Sequence, residues 1–243
     1  MKTATLQRLL QARADKEPVA LVTDLNTGLQ TLVFADRVEG GFGLPESHLD
    51  AVRDRIRDDH SGLIEDEDED GGSGVRLFVQ VHNPPLRLIL VGAVHIAQPL
   101  APMAALLGYG VTVVDPRGAF ASESRFPGVA LDTRWPDEAL SALAIDARTA
   151  VVTLTHDAKL DDPALLVALR SPAFYVGALG STRTHAKRLD RLRVQGLRER
   201  EMARLHAPVG LDIGAVSPAE IALSVLAEIT AVRRNGRILL ERG

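Results

Sequence analysis

Two strand-to-helix turns carry the residues best suited to chemistry. The first, Gly92-Ala93-Val94-His95, follows the apolar run Leu86–Val91. A strand, a glycine turn and a helix start leave backbone N–H groups and the positive end of a helix dipole facing a ligand, which suits an anion. Asp115 lies 23 residues beyond Gly92, at the close of the next apolar run. A carboxylate placed there can accept hydrogen bonds from a ribose or another diol. Val94, however, stands where a dinucleotide fingerprint has glycine, and its branched Cβ should crowd a pyrophosphate. The second turn runs Gly177-Ala178-Leu179-Gly180-Ser181-Thr182-Arg183. Gly180 suits a positive φ, Ser181 suits a helix cap, and Arg183 offers a fork of donors for phosphate. The later basic residues, Lys187, Arg188, Arg191 and Arg193, read as a solvated helix face.

Between these turns, Thr155-His156-Asp157 closes a third apolar run. A His-Asp pair on a strand-end loop can orient a ligand or move a proton. The helix that follows is expected to be capped by Asp161 or Asp162, with Pro163 in its first turn. His206 and Asp212 belong to a proline- and glycine-rich loop, His206 to Gly214, of the kind that can approach a ligand closely. Glu220 reads as the cap partner of Ser217. His95, His156 and Asp157 have no metal-site spacing. There is no serine-histidine-aspartate elbow, no GxxxxGK[ST] loop and no cysteine, so nucleophilic catalysis and nucleotide hydrolysis have no visible apparatus.

The elements that must hold these residues follow from periodicity. Leu86–Val91, Val111–Val114, Thr149–Leu154 and Phe174–Val176 are short and almost wholly apolar, as strands covered on both faces should be. Helical spacing fills the intervals: His95 to Leu107, Asp161 or Asp162 to Leu169, Thr182 to Val194, Leu197 to Leu205, and a capped helix from Ser217 to Arg234. Alternating strands and helices predict an α/β domain with a parallel sheet, whose ligands bind beyond the carboxyl ends of its strands. The earlier part differs. It reads as a helix near residues 3–14, a hairpin of Pro18–Leu25 and Leu29–Ala35 turning at Asn26-Thr27-Gly28, and a glycine-rich loop at Gly40–Gly43. A helix from Pro45 to His60 and a strand over 75–82 follow. Asn83-Pro84-Pro85 breaks the chain, so a small α+β domain at 1–84 and the parallel domain at 85–243 are expected.

Composition bounds the rest. The chain has 243 residues, 46% hydrophobic, with a formal net charge of −4. That charge argues against bulk electrostatic binding of nucleic acid. No apolar run nears the ~20 residues of a membrane span, and the N-terminus lacks signal-peptide character, so a cytoplasmic protein is expected. The acidic run Glu65 to Asp70 reads as a solvated loop, or as a docking element if the chain is a scaffold.

Taken together, GAVHIAQPLAPMAALLGYGVTVVDPRGAFASESRFP, LTHDAKLDDPALLVAL, YVGALGSTRTHAKRL and HAPVGLDIGAVSPAEIALSVLAEI resemble the XdhC/CoxI family of molybdenum-enzyme accessory proteins over most of residues 86–234. The resemblance implies a Rossmann-like C-terminal domain behind a smaller N-terminal one. It also implies a molybdenum-cofactor chaperone, a carrier rather than an enzyme, with molybdopterin as cargo. Its partners would be an apo-molybdenum hydroxylase of the xanthine dehydrogenase type and a cysteine desulfurase, with a homodimer left open. Gly92, His95, Asp115, His156, Asp157, Gly177, Gly180, Ser181, Arg183, His206 and Asp212 would line the cargo site. The chain departs from the family pattern twice: GxGH is Gly92-Ala93-Val94-His95, and Phe42 stands about where a cysteine is usual. An NAD(P)-dependent oxidoreductase is the alternative reading of the Gly92–Asp115 unit.

Overall fold

The computed structural model describes residues 2–66 and 74–234. The chain divides into two units, residues 1–84 and 85–243. In the first, α1 (Thr3–Ala14) and α2 (Glu46–Asp58) accompany five strands: β1 (Val19–Asp24), β2 (Gln30–Val33), β3 (Val38–Gly40), β4 (Gly62–Glu65) and β5 (Arg76–His82). The sheet order is β3-β2-β1-β5-β4, antiparallel throughout. Ala20 and Val22 pack with Val52 and Ile56 of α2, while Val19 and Leu21 pack with Leu9 and Ala12 of α1. Both faces of β1 are therefore covered, which is why its sequence is apolar without alternation. Gly40 is not in a loop as expected; it ends β3 and pairs with Thr31. Of the acidic run, residues 67–70 lie outside the described residues, and Glu65 ends β4, paired with Arg76 at 3.0 Å.

The second unit is an α/β sandwich. Its strands are β6 (Leu86–Val91), β7 (Tyr109–Val114), β8 (Ala130–Asp132), β9 (Thr149–Thr153), β10 (Tyr175–Ala178) and β11 (Leu205–His206), in the order β11-β10-β9-β6-β7-β8. All five pairings are parallel. Numbered along the chain, that order is 6-5-4-1-2-3, the doubly wound Rossmann arrangement. One face packs on α3 (Ala97–Leu106) and α8 (Pro218–Arg233) through Leu88, Leu90, Leu100, Val225 and Ile229. The other packs on α4 (Pro136–Ala142), α5 (Ala158–Arg170) and α6 (Thr182–Val194) through Ile89, Val91, Leu140, Leu165 and Leu192. Burying each such side chain stabilises by about 1.5–3 kcal/mol.

Several boundaries move. α3 starts at Ala97, leaving His95 in the preceding turn. The strand expected at Phe174–Val176 extends to Ala178, so Gly177 is a strand residue and not part of the turn. The helix expected to reach Leu205 is the single turn α7 (Glu199–Met202), and His206 ends edge strand β11. β8 and α4 carry too few apolar residues to have been legible as elements.

Candidate functional site

Because the chain winds outward from β6 through β7 to β8, then returns to β9 and winds the other way, β6 and β9 flank the switch point where such sheets open a crevice. Gly92 leaves β6 at φ +110°. A Cβ there would lie 2.5 Å from Thr155 Cγ2 and 3.3 Å from Thr155 N, so the ends of β6 and β9 touch only because residue 92 has no side chain. β10 lies on the far side of β9. Two strand spacings of about 4.8 Å each therefore put the Gly92 and Gly180 bends about 10 Å apart, on one edge of the sheet.

Asp115, the expected diol acceptor, has a different task. It is fully buried. Its Oδ2 accepts from Ala93 N–H at 2.8 Å and Arg117 Nη2 at 2.8 Å, and its Oδ1 accepts from Arg117 N–H at 3.0 Å and Nε at 2.9 Å. Burial alone would push this carboxyl up. The Arg117 guanidinium and the Ala93 and Arg117 N–H groups hold it below its usual value. Asp115 thus braces the Gly92 turn and fixes Arg117, whose guanidinium stacks on Phe120 at 4.7 Å. A ribose would find no free acceptor there, which leaves the nicotinamide alternative without support.

At the end of β9, His156 is exposed and sits in the left-handed region at φ +61°. A non-glycine residue held there is strained, and such strain gathers at ligand sites. Thr155 Oγ1 donates to Asp161 Oδ1 at 2.6 Å and accepts from Asp157 N–H at 3.1 Å, fixing the loop around His156. The helix cap expected of Asp161 or Asp162 is Asp157, which accepts from Lys159 N–H at 2.9 Å. Asp161 and Asp162 instead lie inside α5, buried against α6. Asp162 takes Arg191 bidentately at 2.5 and 3.0 Å. Asp161 faces Arg188 at 3.7 Å. Burial pushes the Asp161 carboxyl up and the Arg188 guanidinium down.

Beyond β10, Gly180 adopts φ +146° and Ser181 caps α6, accepting from Thr184 N–H at 3.2 Å. Arg183 is exposed on the first turn of that helix. Arg188 is not on a solvated face: it is 1% exposed, and its Nη2 donates to Leu179 O at 2.8 Å. The i, i+3, i+7 spacing of His185, Arg188 and Leu192 was the signal available in the sequence for that burial.

Gly177 and His206 are held by packing inside the domain, and the loop after β11 leaves the same carboxyl edge of the parallel sheet. Val209 Cγ2 and Tyr175 Cε1 lie 2.6 and 2.8 Å from where a Gly177 Cβ would sit, so its smallness serves packing. His206 stacks on Tyr175 with ring centroids 4.6 Å apart, and its Nδ1 lies 3.1 Å from Glu228 Oε1. Glu228 Oε2 also accepts from Tyr175 Oη at 2.5 Å and Gly210 N–H at 2.7 Å. His206 therefore anchors the loop to α8. Asp212 is exposed farther along that loop. Gly92, His95, His156, Asp157, Gly180, Ser181 and Arg183 follow the ends of β6, β9 and β10. No cluster of three metal-binding side chains occurs among the described residues. Among them, too, no helix is long and apolar enough to cross a membrane.

Comparison with known proteins agrees with this architecture. Residues 88–229 match the model of the XdhC Rossmann domain. A probable xanthine dehydrogenase subunit from Bacillus subtilis is 38% identical over 65% of this chain and 46% of its own length. The molybdenum cofactor insertion chaperone PaoD of Escherichia coli is 37% identical over 62% of this chain and 41% of its own. Each match thus spans less than half of the relative's length. The crystal structure of a xanthine dehydrogenase from Bacillus halodurans superposes with a TM-score of 0.69 at 26% identity, covering 96% of this chain and 67% of the other. Family match, strand order and the paired turns converge: the chain belongs to the XdhC family, through its Rossmann domain.

Proposed function

We propose that the chain is a carrier for the molybdopterin form of the molybdenum cofactor and hands this cargo to an apo-hydroxylase of the xanthine dehydrogenase type. The feature this reading rests on is the switch point of the sheet, where doubly wound folds bind their ligands. It gathers two glycine bends, the exposed His156 and exposed Arg183 on one sheet edge, while the carboxylate a dinucleotide would use is buried under Arg117. Molybdopterin is an anionic pterin with a phosphate and an oxidisable dithiolene. Backbone N–H groups at helix starts suit the phosphate. His156 and Asp157 stand where they can meet the ring's polar edge. A carrier must hold reactive cargo without attacking it, which suits a crevice rim free of cysteine. The relatives' names supply the class of cargo and client. Delivery, a cysteine desulfurase as second partner and a homodimer are parts of the same proposal. Purification of the full chain from cells with active cofactor synthesis, followed by oxidation, should release a fluorescent pterin in near-stoichiometric amount. Protein from the same cells without pterin refutes the reading.

A further inference from the structure

We propose that the turn between β10 and α6, not the turn between β6 and α3, receives the phosphate-type group of the ligand, with Arg188 as its buried cation. Only the identity of the ligand rests on the carrier reading. The usual phosphate seat of a doubly wound sheet is the first glycine turn, after β6. Here that seat is disarmed. Ala93 N–H is spent on Asp115 Oδ2, so the donor that would face a ligand at this turn is already taken. The space beside Gly92 is filled by the Thr155 methyl, and Val94 adds a branched side chain.

The turn after β10 has the opposite character. Ser181 caps a helix of 13 residues, whose first-turn N–H groups have no intrahelical acceptors. Beneath it, Arg188 is 1% exposed, yet its Nε and Nη1 have no hydrogen-bond partner. Its Nη1 lies 3.7 Å from where a Gly180 Cβ would be, so the guanidinium is aimed at the bend. His185 Nδ1, one turn before Arg188 on α6, is likewise buried and unpartnered. Asp161 Oδ2 forms an ion pair with Arg188 Nη2 at 3.7 Å, beyond hydrogen-bond length, and has no hydrogen-bond partner of its own. Buried donors in such number are rare unless a ligand or ordered water meets them. A planar cation with free donors, a helix start and the exposed Arg183 beside it fit a tetrahedral oxyanion better than a neutral ring edge. Burial, then Arg188, lowers the His185 pKa, which keeps that ring a neutral partner near pH 7.

The test is a titration of inorganic phosphate into the ¹⁵N-labelled, pterin-free full chain at constant ionic strength. Amide resonances of Gly180, Ser181, Thr182 and Arg183 should shift together and saturably, while those of Gly92 to His95 stay fixed. Arg188→Lys should weaken phosphate about tenfold, since a point charge replaces a fork. Gly180→Ala, whose methyl would lie 3.2 Å from Thr184 Cγ2 and 3.7 Å from Arg188 Nη1, fills the space over the guanidinium and should do the same while leaving the Arg188 charge in place. Absence of saturable shifts at 180–183, shifts at 92–95 instead, or unchanged affinity in either folded variant overturns the inference. Pterin recovered from a chain without these shifts sinks this inference alone; phosphate shifts in a chain that never carries pterin sink the carrier reading alone.

Discussion

The contact between Gly92 and Thr155 sets how closely the turns after β6 and β9 approach, and a double-mutant cycle reads it directly. In Gly92→Ala, two costs add. A side chain at φ +110° is strained by about 1–3 kcal/mol. A methyl 2.5 Å from Thr155 Cγ2 overpacks the strand ends at a further cost of about 1–3 kcal/mol. The sum, about 2–6 kcal/mol, should lower the melting temperature of this unit by roughly 10 °C, at about 2–4 °C per kcal/mol for its size. Thr155→Ser removes the opposing methyl, keeps the oxygen that holds Asp161 and Asp157, and costs only about 1 kcal/mol. With that methyl gone, the nearest remaining contact is Thr155 N at 3.3 Å, so the double variant should recover the steric part and retain the backbone strain. Urea unfolding followed by Trp135, the only tryptophan, measures all four species in the Rossmann unit. The expected coupling is about 1–3 kcal/mol in favour of the pair. Additivity within about 0.5 kcal/mol would mean that residue 92 and the Thr155 methyl do not meet.

Two further outcomes are expected. His156→Gly should raise stability by about 0.5–1 kcal/mol by relieving the left-handed backbone, while reducing pterin retained per chain; a variant that loses both, or neither, contradicts the placement of His156 in the site. Glu228→Gln should destabilise by about 1–3 kcal/mol at neutral pH, because Tyr175, His206 and Gly210 lose a charged acceptor. Burial alone would raise the Glu228 carboxyl, but those three partners hold it below its usual value. Its stabilisation is therefore full above the unfolded value of about 4.3 and is lost as pH falls through the lower folded value. The gap between wild type and Glu228→Gln should close in acid; a gap independent of pH from 7 to 3 contradicts the assignment.

Much of the Rossmann unit was legible in the chain because buried parallel strands announce themselves. Leu86–Val91 is apolar but for Arg87, and Thr149–Thr153 holds an apolar centre between two threonines. Ser181 and Ser217 cap the helices expected of them. Short elements failed the same test. β11 has two residues, and β8 has three of which one is exposed, so neither shows a period.

Partnership was not legible, because a side chain's acceptors come from elements distant in sequence. Asp115 looked free for a ribose until Ala93 and Arg117 were seen to occupy both its oxygens. His206 gave no sign in the sequence of its partner Glu228, 22 positions on. Arg188 looked solvated until α5 and α6 closed over it. Types and spacing thus determined that two anion-suited bends exist and that both follow parallel strands. Only the strand order, with β9 seated between β6 and β10, decided how near they lie; only packing decided which bend keeps its donors free. Local sequence sets backbone conformation within a few residues, whereas the exposure of a charge depends on everything that folds against it.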